Sequence, residues 1–102
     1  MNYRNPRISI GIPVYNGEKF IRKCIESVLQ QTYRNFELII SDNASTDSTS
    51  KICEEYLRKD NRITFVRQNK NMGQNWNFNF LLEKANGEYF VWVAVDTIIL
   101  PE

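Results

Sequence analysis

Histidine is absent from the 102 residues. That removes every mechanism built on a histidine base, and with it the commonest transition-metal ligand. Only two cysteines occur, Cys24 and Cys53. They make neither a disulfide framework nor a metal-ligand spacing. Any metal must therefore be held by oxygen ligands, which favours Mg or Mn. No apolar run approaches the roughly 20 residues that a membrane span needs. No signal peptide is expected, because Met1 to Arg7 is polar and Ile8 to Val14 is too short for a hydrophobic signal core. An excess of one charge is also missing: 13 Lys and Arg against 12 Asp and Glu leave +1. This argues against a nucleic-acid domain that relies on bulk positive charge, and leaves a small phosphorylated ligand open.

What is present is an ordinary globular composition, 42% hydrophobic and 25% charged, in a length that suits one domain. Strand and helix signals alternate along it. Ile8 to Val14 is a β-branched run closed by a polar turn at Tyr15-Asn16-Gly17. Ile21, Cys24, Ile25 and Val28 then recur at helical spacing, predicting a helix over about 18–31. Phe36 to Ile40 is a second strand, followed by a loop dense in Asp, Ser, Thr and Asn. Thr49, Ile52, Cys53 and Tyr56 mark one face of a second helix, and Asp47 reads as its N-cap. Ile63 to Val66 is a third strand. A third helix carries Phe78, Leu81, Leu82 and Ala85 as its expected core stripe, and Asn86-Gly87 is its stop signal. Tyr89 to Val95 reads as a fourth strand. The order β-α-β-α-β-α-β, with apolar strands, predicts an α/β fold with a parallel sheet covered on both faces.

In such sheets ligands bind beyond the carboxyl ends of the strands. Several chemistries fail there. No G-x-G-x-x-G follows the first strand, the glycines at 11 and 17 are one residue too far apart for a P-loop, and no G-x-S-x-G occurs. The strand ends instead offer Tyr15, Asp42 and Asp96. An aromatic can stack on a base. One carboxylate can accept from a base imide or ribose hydroxyls, and another can hold a hard cation against a diphosphate. Together they suit a nucleoside-diphosphate ligand. Each residue also has a plainer role open to it: Asp42 as a turn carboxylate, Tyr15 as a packing aromatic, Asp96 as a cap of the turn before Leu100-Pro101, and the cysteines as buried inert thiols. Trp76 and Phe80 fall off the third helix's stripe.

Ile8-Ser9-Ile10-Gly11-Ile12-Pro13-Val14-Tyr15-Asn16 resembles the opening strand of family 2 glycosyltransferases, which have the GT-A fold. Five further stretches follow in that family's order: Ser27 to Tyr33, Phe36 to Asp47, Asn71-Met72-Gly73, Ala85 to Tyr89, and Asp96 ahead of Leu100-Pro101-Glu102. The resemblance implies a three-layer, Rossmann-like GT-A donor half with a mainly parallel four-stranded sheet in the order 3-2-1-4. It implies a single nucleotide-sugar-binding subdomain over 1–102, cut from a longer inverting transferase. It implies that Pro13 and Tyr15 frame the base, with Asn16 and Glu18 beside them. Asp42 and Asn43 would bind the base or ribose, and Arg67 to Gly73 would line the pocket. Asn77-Phe78-Asn79 resembles a sub-branch with N-F-N at this point, and Asn79 is carried over as a donor-site residue. Asp96 matches an acid of the family's D-x-D-like motif, at the ribose and metal–diphosphate.

Two departures stand out. Thr97 occupies the place of the usual second acid, so a divalent metal (Mg or Mn) would be held weakly through Asp96. The family's catalytic base lies beyond this stretch, so none of these residues is assigned that role and the chain alone is expected to be inert. The implied partners are a UDP- or dTDP-type sugar donor and, for the whole protein, a glycan or lipid-linked acceptor. The expected setting is the cytoplasm or the inner face of its membrane. An open sheet edge predicts a homodimer. The alternative is a non-catalytic nucleotide-binding or assembly module of the same fold.

Overall fold

The computed structural model describes residues 6–96. Four strands, β1 (Ile8–Val14), β2 (Phe36–Asp42), β3 (Ile63–Arg67) and β4 (Tyr89–Trp92), alternate with three helices, α1 (Ile21–Leu29), α2 (Thr49–Lys59) and α3 (Gln74–Lys84). Every strand pairing is parallel and the sheet order is β3-β2-β1-β4. The α/β class and the expected strand order therefore hold.

The two-residue period of the strands sorts the layers. Ile10, Ile12 and Val14 of β1 and Leu38 and Ile40 of β2 join Ile21, Cys24, Ile25 and Val28 of α1 and Cys53 and Tyr56 of α2 in one buried cluster. The opposite face carries α3, whose Leu81 is fully buried over Gly11. A Cβ on Gly11 would come within 2.8 Å of the Phe90 ring and 3.3 Å of the Leu81 Cβ. The glycine inside β1 thus lets α3 and Phe90 settle close to the backbone.

Two elements have other bounds than the sequence predicts, and one helix has another buried stripe. β4 pairs only from Tyr89 to Trp92, not to Val95. The last rung is Val93 N–H to Gly11 O at 2.9 Å. In a parallel ladder the Val93 carbonyl would next accept from residue 13, and Pro13 has no N–H. α1 starts at Ile21 because Asn16, Gly17 and Glu18 are tied to the segment from Ser45 to Thr49, and Gln31 Nε2 caps its end on Ser27 O at 3.0 Å. On α3 the buried pair is Asn77 and Leu81, whereas Leu82 is exposed. Phe78 turns toward β4 and meets Trp92 edge-on at 5.7 Å. A polar residue occupies the stripe because β2 presents Ser41, which gives it partners.

Candidate functional site

The carboxyl ends of β1 and β2 open into a cleft of about 280 Å³ whose walls include Pro13, Tyr15, Asn43, Asn71, Gln74 and Asn77. Pro13 and Tyr15 are there because β1 ends at Val14 and the chain turns through Asn16, which sits in the left-handed region at φ 52°. Tyr15 is 48% exposed, so its ring is available to a planar ligand.

Asp42 closes β2 directly behind this wall. It is the register partner of Val14 and the chain neighbour of Asn43, both of which line the cleft. Its carboxylate is 0% exposed. Oδ1 accepts from the Ser45 amide at 3.0 Å and from the Ser45 hydroxyl. Oδ2 has no hydrogen-bond partner. The nearest cation is Arg67, with Nε at 3.7 Å, an ion-pair distance outside hydrogen-bond range. Arg67 is otherwise held by Nη2 donating to Ser45 O at 2.9 Å. A buried carboxylate oxygen left without a donor is costly, and such an atom in a native fold calls for an explanation.

Asn43 builds the opposite wall. Its Nδ2 donates to Asn71 Oδ1 at 3.0 Å and Gly73 O at 3.2 Å, and its Oδ1 accepts from the Met72 amide at 2.8 Å. Gly73 makes that loop possible: φ 92° and ψ 157° lie in a region that is essentially glycine's alone. Asn43 and Gly73 therefore shape the wall, while Asn71 and Gln74 present side chains to the space.

Not every residue carried over from the resemblance faces the cleft. Asn16 and Glu18 join the β1–α1 loop to the loop before α2. Asn16 Oδ1 accepts from the Thr46 amide at 2.8 Å, Asn16 N donates to Ser45 Oγ at 2.7 Å, and Glu18 Oε1 accepts from the Ser48 amide at 2.8 Å. Asn79 lies in surface depressions beside Phe78 and Trp92 on one side and Trp76 and Phe80 on the other. Two residues along a helix turn a side chain by about 200°, so Asn77 and Asn79 cannot both face the cleft, and Asn77 does. Sequence reasoning missed Asn77 as a lining residue; the signal was a polar residue four before Leu81. Asp96 is exposed in the turn after β4, whose Val95 packs near Gly17. Thr97 lies outside the described residues. Among the described residues no three acidic, cysteine or histidine side chains gather as a cation site.

Known proteins share the family and the fold of this chain. Residues 9–102 match Glycosyl transferase family 2. The chain belongs to that family. It is 37% identical over 92 residues to Glycosyltransferase GlyG of Streptococcus pneumoniae, covering 90% of this chain and 31% of that protein. Among solved structures, S. aureus TarS in complex with UDP-GlcNAc superposes with a TM-score of 0.81 at 31% identity, over 88% of this chain and 26% of that one. The mannosyltransferase PcManGT of Pyrobaculum calidifontis, solved with GDP-Man and Mn2+, gives 0.82 at 26% identity, over 90% and 28%. The family 2 chain described here thus spans about a third or less of the length of these relatives, and its fold is that of GT-A glycosyltransferases.

Proposed function

We propose that this chain is the donor-binding part of a glycosyltransferase and takes a nucleoside-diphosphate sugar into the cleft at the ends of β1 and β2. The observation that carries the reading is Asp42 Oδ2, fully buried and without a hydrogen-bond donor, behind a cleft walled by an exposed aromatic and carboxamides. An imide N–H supplies the missing donor. Uracil and thymine carry one, so the donor is of the UDP or dTDP type. Tyr15 stacks on the base, Pro13 frames it, and Arg67 swings outward as the imide reaches Asp42. Asp96 faces the ribose and diphosphate.

A divalent cation fits only in part. Asp96 is one exposed carboxylate, and Thr97 next to it offers a neutral hydroxyl. Asp96 would hold Mg or Mn together with the ligand's own phosphate oxygens, the usual manner for such ions. When bound, the cation neutralises diphosphate charge. In the whole protein, the sugar passes with inversion to a glycan or lipid-linked acceptor at the cytoplasmic side of a membrane. The base that takes the acceptor's proton belongs to residues outside this stretch. The 102-residue chain binds donor without turning it over.

Calorimetric titration with UDP, dTDP and GDP tests the reading. Asp42→Asn keeps an oxygen for Ser45 but removes the charge, and should weaken UDP binding tenfold or more, the scale of a hydrogen bond to a charged group. No heat and no NMR shifts near Tyr15 with any of the three nucleotides would sink it. Thr97 in place of a second acid favours one other reading, a non-catalytic binding module. Release of UDP from a UDP-sugar by the full-length protein separates the two.

A further inference from the structure

Asn77 is a cleft-lining side chain that is buried and held by the strand beneath it. It is 2% exposed, on the first turns of α3. Its Nδ2 donates to the Ser41 carbonyl at 3.0 Å, and its Oδ1 accepts from the Ser41 hydroxyl at 2.5 Å. Gln68 Nε2 in turn donates to that hydroxyl at 3.1 Å. A backbone carbonyl can only accept, so it fixes which end of the carboxamide is nitrogen. The Ser41 hydroxyl receives from Gln68 and must send its own proton to Oδ1. Donor and acceptor directions are thereby set along the whole chain of bonds. Oδ1 is used, and one of the two Nδ2 hydrogens is used. The second N–H is left for the cleft.

The other polar groups lining the cleft share this bias. Asn43 is engaged at both ends by the 71–73 loop, and Asn71 Oδ1 is engaged by Asn43 and by the Gly73 amide at 2.9 Å. The open donors are Nδ2 of Asn71, the second N–H of Asn77 and the amide nitrogen of Gln74, whose carboxamide also keeps its acceptor oxygen. Behind the wall made by Val14 and Asn43 stands a charged acceptor, Asp42 Oδ2, buried and without a hydrogen-bond partner. Amide donors together with a buried carboxylate acceptor complement a ring with two carbonyls about an imide. A guanine edge is the wrong partner, since its one carbonyl stands beside two nitrogens that donate.

We propose that Asn77, held by Ser41 and Gln68, is a specificity-determining residue that donates to a base carbonyl and selects a dicarbonyl pyrimidine over guanine. This rests on the donor-cleft reading above. A fixed donor is more selective than a mobile one, because an analogue lacking the matching acceptor leaves a buried N–H unpaired.

The test is nucleotide affinity by calorimetry, with a melting curve for each variant. Asn77→Leu keeps the volume and removes the donor. The expected result is a loss of tenfold or more in UDP affinity with GDP affinity changed less than threefold, so that the UDP-to-GDP preference collapses. Ser41→Ala frees Oδ1 and should reduce the same preference by a smaller factor. Should Asn77→Leu fail to fold, the wild-type protein decides: a Nδ2 proton of Asn77 moves downfield on adding UDP and does not on adding GDP. The inference is overturned if UDP and GDP affinities fall together, if UDP affinity stays within threefold of wild type in a folded variant, or if the Asn77 amide is unmoved by UDP. Binding of UDP without any of these dependences leaves the donor-cleft reading standing. Absence of binding by every nucleotide removes both.

Discussion

Two thiols illustrate how much a single side chain inherits from its position. Cys24 on α1 and Cys53 on α2 are both buried in the main core. Burial pushes the Cys24 thiol up to about 11, with Asp96 adding to the effect, and the Cys53 thiol up to about 12, with Asp42 adding. Only the thiolate reacts. Native protein at pH 8 should therefore modify with a thiol reagent over hours, and two equivalents should appear at once in denaturant; rapid reaction of either thiol in native protein would contradict the packing. Two glycines make a sharper contrast. A Cβ at Gly87 would lie 2.8 Å from the Ser9 amide nitrogen, against backbone that cannot yield, while nothing lies within 4 Å of one at Gly73. Gly87→Ala should destabilise through crowding by about 1–3 kcal/mol. Gly73→Ala should lose a similar amount, about 1–3 kcal/mol, through backbone strain alone. Only the Gly73 change should also weaken nucleotide binding, because its loop carries the Asn43 latch; chemical denaturation paired with UDP titration reads both. In the sequence these two glycines look alike, one after Asn-Met and one after Ala-Asn, and only the fold separates a conformational role from a contact role.

Among the elements, the start of α2 shows what the loop residues accomplish together. The sequence predicts Asp47 as the N-cap, whereas by backbone geometry that position is Ser48, which makes no side-chain cap. Asp47 nevertheless does the capping, with Oδ1 accepting from the Thr49 amide at 2.9 Å and from its hydroxyl. Glu18 covers the Ser48 amide from the facing loop, and the Thr49 hydroxyl takes the Gly17 amide at 2.9 Å. This mutual stitching holds the two loops that frame Tyr15 and Asp42. Asp47→Ala should cost about 0.5–2 kcal/mol, the usual span for a lost cap. A pH dependence follows with a definite sign. Desolvation works to raise Asp47, but the Thr49 hydroxyl and amide and the Glu18 amide outweigh it and hold the carboxyl below its ordinary value. The Arg62 guanidinium, bonded at 2.8 and 3.0 Å, does the same to Asp60. Depressed folded-state values mean stabilisation that is complete above the ordinary Asp range near pH 4 and lost as the pH falls through the lowered values. The melting temperature should be flat from pH 8 to 5 on this account and drop below pH 4, with a smaller drop in Asp47→Asn. An unchanged acid limb in that variant would remove Asp47 from the explanation. Periodicity placed all seven elements, because strand and helix spacing act locally. The end of β4 escaped it because the missing donor is on Pro13, about 80 residues away in sequence, and the α3 stripe escaped it because Ser41 on another strand satisfies Asn77.

For the molecule as a whole, the sheet order decides which surfaces are left open. β2 and β1 are central; β4 is an edge, four residues long, and Tyr89, Val91 and Trp92 on it are 44–56% exposed. Beside it, Ile8, Tyr33, Phe36, Val91 and Val93 line a largely apolar groove of about 180 Å³. The charge nearest the start of this edge, Glu88, is occupied by Arg7 at 3.8 Å. An edge strand with unpaired N–H and C=O groups, apolar side chains and no lysine lacks the devices that keep edges apart. The sequence pattern allowed this much to be foreseen, since four strands in the order 3-2-1-4 must end on the last strand; the groove could not be, because it joins the first strand, the segment before β2 and β4. The 102-residue chain in isolation should accordingly self-associate as a dimer through β4, burying apolar surface worth roughly 25 cal/mol per Å². Light scattering coupled to size exclusion, run from micromolar to near-millimolar protein, should show mass rising toward twice the monomer. Val91→Lys places a charge on the outward edge and in the groove, and should return the protein to a monomer with its melting temperature little changed. The cleft proposed for the donor opens at the carboxyl ends of β1 and β2, so UDP affinity should be the same for monomer and dimer. A wild-type chain that stays monomeric at the highest concentration would show that this edge is too short to pair unaided.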